Sequence, residues 1–210
     1  MSKQTVSRRD LAVGTLLALI IGTTFVLIGG RPLVVTFIPG LVVAWAIFAW
    51  LHGTQTALPE GGKLYPLYYA VFAWQFVHFF EEYLTGFRIQ FPELYGASPF
   101  SAELFVGVNM FSYFVFAVGF ILVFEKGLKF LLIPVLFYIV YGALGNAIAH
   151  VWWVIWKGGY FPGFFTALAY WILGPLLLSR FVGSLGRAYA ITALFAVILI
   201  PAITLTMSPV

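Results

Sequence analysis

Along the chain, apolar runs of membrane-spanning length alternate with short breaks that hold most of the charged and turn-forming residues. Leu11 to Ile28 is one such run, and Gly29-Gly30-Arg31-Pro32 ends it. A second helix is predicted from about Leu33 to Leu51, with Pro39-Gly40 as a kink point, and a third from about Leu64 to Phe87 after the polar segment His52 to Lys63. Residues Arg88 to Glu103 carry Pro92, Pro99, Glu93 and several aromatics, and are too short and too polar to span. Further helices are predicted from about Leu104 to Phe124, Phe130 to Trp156, Gly163 to Ser179 and Ala188 to Met207. The breaks between them lie at Glu125-Lys126-Gly127, at Lys157 to Gly163 and at Arg180 to Arg187. The pattern predicts an all-α polytopic transmembrane helical bundle, a single domain over residues 1–210 with about seven spans, six at the lower bound.

Composition agrees with that pattern. The chain is 62% hydrophobic and 9% charged, against about 25% charged in ordinary soluble domains. Seven Trp and eleven Tyr supply rings that favour membrane interfaces. The net charge of +4 comes from basic residues scattered singly through short loops, without the basic stripe that nucleic-acid binding needs. Membrane lipids are the expected surroundings. With no cysteine, disulfides, thiolate ligands and a cysteine nucleophile are all excluded.

The start Ser7-Arg8-Arg9-Asp10 followed by an apolar run superficially looks like a signal peptide. The run is of spanning length, however, and no A-x-A cleavage site follows it, so it reads as a span. With the N-terminus inside, Lys3, Arg8, Arg9, Lys63, Lys126, Lys129, Arg180 and Arg187 fall on the inner side, and Arg31, Arg88 and Lys157 on the outer. Positive-inside bias then predicts a plasma or inner membrane protein with residues 1–10 cytoplasmic and Val210 outside.

Within this apolar background, Gln75-Phe76-Val77-His78-Phe79-Phe80-Glu81-Glu82-Tyr83 places an imidazole and two carboxylates inside a span. A charged side chain at mid-bilayer costs roughly 2.5–3.5 kcal/mol on insertion scales, so intramembrane ionisable groups tend to be paired, inward-facing and functional. On a helix His78 has Glu81 and Glu82 one turn on, with the carboxylates splayed ~100° apart. Measured from the outer helix ends at ~1.5 Å per residue, Glu82 lies ~9 Å deep, His150 ~10 Å, Asn109 ~9 Å, and His78, Tyr113 and Asn146 ~15–16 Å. Three helices thus set polar groups at matching depths. The plainer readings are interhelical hydrogen bonds for Asn109 and Asn146, snorkelling for Glu82, an interfacial His52, and an aromatic belt for Trp152, Trp153 and Trp156.

The chemistry these residues offer is that of a metal-dependent membrane hydrolase. His78 and Glu82 at i and i+4, with His150 from the fifth helix, form a two-histidine, one-carboxylate ligand set for a divalent ion, zinc or alternatively iron or manganese. Glu81 is the expected general base, Asn146 would orient a ligand or polarise a carbonyl, and Tyr160 would donate to an oxyanion. The depth of the site favours a lipid-like or membrane-embedded substrate. Two alternatives use the same residues: a metal-free hydrolase or protease in which the paired carboxylates share a proton, and a proton- or cation-coupled transporter.

His78-Phe79-Phe80-Glu81-Glu82, the later His150, and Tyr160-Phe161-Pro162-Gly163 together resemble the HXXEE-motif family of integral membrane proteins. The match runs from the third helix to the start of the sixth, with the elements in the right order. The resemblance implies an integral membrane protein with an enzymatic part, and supplies no substrate. The inventory of a Glu pair, two His and an Asn is also similar to that of CAAX-type intramembrane proteases, but here Arg88 lies six residues after Glu82 and Asn146 precedes His150, inverting their order.

Overall fold

The structure is a computed structural model and describes residues 4–208; Lys3 and Val210, used above for orientation, lie outside them. Eight helices make up the described chain: α1 (Arg8–Ile28), α2 (Gly30–Gly53), α3 (Gly61–Thr85), α4 (Phe87–Glu93), α5 (Ala102–Lys126), α6 (Lys129–Lys157), α7 (Phe164–Val182) and α8 (Leu185–Thr204). All but α3 and the short α4 are long and apolar enough to cross a membrane. The protein is a helical membrane bundle. α3 is as long as its neighbours but less apolar, because it carries the polar stretch predicted to hold the site.

Helix limits follow local chemistry. Ser7 accepts from the Asp10 backbone N–H while Asp10 accepts from that of Ser7, a capping box that starts α1 three residues before the predicted Leu11. Gly86, at φ +88°, ends α3 and begins α4 at once. A left-handed residue there costs glycine little, and it turns the chain back across the end of α3. The segment after Phe87, predicted to be a loop, therefore opens with a helix that packs Phe87 and Phe91 inward. The predicted break at Arg180 falls later, at Gly183-Ser184, since α7 continues to Val182.

α6 is the axis of the bundle: 78% of its spanning window is buried, against 11% for α1 on the periphery. Around it stand α2, α8, α7, α3 and α5, each packed on the next, with a break between α5 and α2. α1 lies outside, on α2. Lipid is as apolar as leucine, so such helices are held by close packing and by hydrogen bonds averaging about 0.6 kcal/mol. α3 makes these on both sides. The Tyr68 and Tyr69 hydroxyls donate to the Phe116 and Ala117 carbonyls of α5 at 3.1 Å each, and Trp74 Nε1 donates to Thr166 O of α7 at 2.9 Å. Below the site, Tyr170 Oη donates to Gln75 Oε1 at 2.6 Å and Gln75 Nε2 to Tyr113 Oη at 3.1 Å, locking α7, α3 and α5 together.

Candidate metal centre

His78 and Glu82 occupy one buried face of α3, a turn apart, and His150 reaches them from α6. The three side chains are almost wholly withdrawn from the surface, at 0%, 6% and 0% exposure. Backbone contact between α3 and this part of α6 is sparse, so the helices meet here through side chains and not as close-packed neighbours. His78 Nε2 and His150 Nε2 each lie 3.4 Å from the same oxygen, Glu82 Oε1. Neither contact has hydrogen-bond geometry, and both nitrogens are buried without a partner. The imidazole planes are nearly perpendicular, 83°, with centroids 4.9 Å apart.

The tautomer of His78 follows from its other nitrogen. Nδ1 lies 2.8 Å from Thr166 Oγ1, and the Thr166 hydroxyl donates to Glu81 Oε2. A hydroxyl has one proton to give. With that proton directed at the Glu81 carboxylate, Oγ1 accepts from His78 Nδ1–H, which leaves the Nε2 lone pair turned toward Glu82 and His150. Metal-binding histidines are held in this way, the distal N–H bound by an outer partner that fixes ring and tautomer.

Glu81 therefore stands one layer out from the three converging atoms. Its carboxylate accepts from Tyr160 Oη at 2.8 Å, from the backbone N–H groups of Phe165 and Thr166 at 3.2 and 2.8 Å, and from the Thr166 hydroxyl. Expected as a general base, it sits as an acceptor with four donors, clamping the start of α7 to α3. Tyr160, expected as an oxyanion donor, gives its proton to Glu81 and is 45% exposed. Burial, chiefly, with the Glu81 carboxylate beside it, holds the Tyr160 phenol above its ordinary range.

Gly163 brings this loop onto the centre. At φ +85° it adopts a conformation that side chains rarely take, and a Cβ there would sit 2.6 Å from His150 Cε1 and 2.8 Å from Glu82 Cγ. Only a bare backbone fits. Trp153 closes the far side, 1% exposed with its ring 5.0 Å from that of His150. It belongs to the wall of the centre and not to an interfacial belt, because one helical turn past His150 points it inward.

The three side chains could hold a metal ion. Bonds of ~2.0–2.1 Å at tetrahedral angles set ligand atoms ~3.3–3.4 Å apart, and both His–Glu separations are 3.4 Å. The three donor atoms all lie within 4.8 Å of one another.

Glu82 also lines a small cleft of about 90 Å³, whose wall includes Asn109 and Tyr113 of α5 and Asn146 of α6. These are the polar groups expected at matching depth. The two asparagines do not hydrogen-bond between helices: each amide nitrogen donates to a carbonyl four residues back, Phe105 for Asn109 and Gly142 for Asn146, both at 2.9 Å. Just before Asn146, residues Tyr138–Gly145 form a π-helix. Such segments often occur at functional sites, and here one sets Tyr141, Gly142 and Asn146 along the cleft floor.

Of the residues singled out from the sequence, His78, Glu82 and His150 converge, Asn146 shares the cleft with Glu82, and Glu81 and Tyr160 form the outer clamp. Thr166 was missed. It is 85 residues from Glu81, and a threonine in an apolar run carries no signal beyond its place three residues after Gly163. Compared with protein-family models, curated proteins and solved structures, the chain matches none.

Proposed function

We propose that this protein is a membrane-embedded, metal-dependent hydrolase of a lipid-like substrate, with His78, Glu82 and His150 as ligands of zinc, or alternatively of iron or manganese. The observation that carries this reading is the pair of buried imidazole nitrogens, each 3.4 Å from one Glu82 oxygen and neither hydrogen-bonded to it. An uncompensated carboxylate at this depth is expensive, and its only ionic partners within 4 Å, among the described residues, are those two rings. A divalent ion offsets the charge and uses all three donors. Zinc with a fourth position open supplies Lewis-acid chemistry for hydrolysis.

The chain's own residues then divide the work. Thr166 and Glu81 hold His78 in the ligating tautomer, Gly163 lets the loop close over His150, and Asn146 orients a substrate carbonyl from the cleft side. The HXXEE resemblance is consistent with this division, since the first His, the second Glu and the later His supply the ligands, and the Tyr-Phe-Pro-Gly run supplies Tyr160 and Gly163. The metal-free alternative asks the adjacent carboxylates to share a proton, but Glu81 and Glu82 turn to different partners.

Metal analysis of the purified chain tests the proposal. About one equivalent of zinc, iron or manganese per chain is expected, as is loss of activity with chelators. Less than about a tenth of an equivalent, with activity indifferent to chelators, would sink it.

A further inference from the structure

A chain of three polar side chains ends at the cleft beside Glu82. Tyr170 Oη lies 2.6 Å from one end of the Gln75 carboxamide, and Tyr113 Oη lies 3.1 Å from the other. The shorter contact is an O–H···O length, too short for N–H···O, whereas the longer one suits N–H···O. Gln75 therefore turns its oxygen to Tyr170 and its nitrogen to Tyr113. Tyr113 accepts, and its own proton goes to no acceptor among the described residues. Successive donation of this kind polarises the last hydroxyl and makes it the better donor.

Tyr113 is 5% exposed and stands on the cleft wall. The edges and faces of Phe72, Phe76 and Phe79 hold its ring, with centroids 5.9, 5.2 and 6.2 Å away. The same wall carries Glu82, Asn109, Ser112 and Asn146. Each asparagine nitrogen bonds to its own helix, and neither Oδ1 accepts from a described residue. A buried polar group left unpaired costs about 1–3 kcal/mol, and here a donor and several acceptors share one space.

That space measures about 90 Å³. At the roughly 30 Å³ that a water occupies in the liquid, it has room for about three. Apolar cavities stay dry, whereas water settles where each molecule finds about two to four polar partners. Hydrolysis consumes one water for each bond it cleaves, and the hydrocarbon around the bundle supplies none.

We propose that this cleft is a water-binding site, in which about three ordered waters bridge the Tyr113 hydroxyl, Asn109, Ser112 and Asn146 to the Glu82 carboxylate. They are the store from which the hydrolytic water is drawn. The proposal rests on the hydrolase reading for the use made of the water, and binding the water requires no metal.

The test is X-ray radiolytic footprinting of the full chain in lipid nanodiscs, read by mass spectrometry, with metal content measured on the same sample. Radiolysis turns a held water into a hydroxyl radical, which oxidises the nearest side chains. Tyr113 is expected to be oxidised about tenfold faster than Tyr68 and Tyr138, both fully buried and off the cleft wall. A radical scavenger in the bulk should protect the exposed Tyr160 and Tyr189 and leave Tyr113 oxidation unchanged. Ser112→Leu, which puts three carbons on the wall in place of one oxygen, should slow Tyr113 oxidation about tenfold, to the rate of Tyr68. Tyr113 oxidised no faster than Tyr68 in the wild-type chain, or protected by the scavenger together with Tyr160, overturns the proposal. So does undiminished oxidation in a folded Ser112→Leu chain; if that variant does not fold, the two wild-type readouts decide alone. Fast Tyr113 oxidation on a chain that binds no metal removes the hydrolase reading and leaves the water site, and a metal-loaded chain with Tyr113 as slow as Tyr68 does the reverse.

Discussion

Glu81 and Glu82 are neighbours on one helix, yet they stand in opposite environments. Glu82 points into the bundle, 6% exposed, toward two imidazole nitrogens that do not hydrogen-bond to it. Glu81 points toward the loop and the start of α7, and receives four hydrogen bonds. The ~100° between successive helical positions is enough to separate a place where donors converge without partners from a place where every lone pair is engaged. A site that binds an ion needs the first kind, and it needs the second kind beside it to hold the ligands still.

The largest effects should fall on the Glu82 side. His150→Ala or Glu82→Ala is expected to lower bound metal from about one equivalent to below about a tenth, read by elemental analysis of purified protein, while Glu81→Gln retains it at saturating metal. If Glu81→Gln abolishes binding as completely as Glu82→Ala, the two carboxylates do not differ as described.

Gly163→Ala comes next because it strikes both regions together. The φ of +85° costs a non-glycine residue about 1–3 kcal/mol of backbone strain, and the overlap with His150 and Glu82 adds to that. Thermal unfolding in detergent should move down by several degrees, and metal affinity should fall with it.

On the Glu81 side the expected changes are graded. Thr166→Val removes the acceptor for His78 Nδ1–H and should weaken metal affinity about 10–100-fold, the usual effect of losing an outer-shell partner. Thr166→Ser, which keeps the hydroxyl, should restore most of it. The smallest effect is expected for Tyr160→Phe, which deletes one of four donors to Glu81 at a half-exposed position. A loss of about 0.5–1.5 kcal/mol in stability, read by chemical or thermal denaturation, is the scale of one such hydrogen bond.

Much of this was legible from residue order. The apolar runs placed α1, α2, α5, α6 and α8 within a few residues of their ends, because a spanning helix needs length and apolarity and little else. The cost of burying charge singled out His78, Glu82 and His150, and a depth count brought Glu82 and His150 to one level, with His78 one turn deeper. The short helix after Gly86 was not foreseen, since a left-handed turn that restarts a helix looks like any glycine break.

Residue order therefore determined which groups share a depth and which cannot face lipid, as both follow from helical rise and the energy of burial. The i, i+4 spacing already set Glu82 with the histidines, and tertiary structure alone decided that Glu81 turns to Thr166 and Tyr160, because that depends on how α3 is rotated against α6 and α7, a quantity set by Trp74, Gln75 and Tyr170 hydrogen bonds and by close packing. It also decided that Thr166 fixes the His78 tautomer and that the helices leave a gap between α2 and α5. Contacts between residues far apart in the chain leave no periodic mark on it, and rotation about a helix axis shifts every partner without changing a single depth.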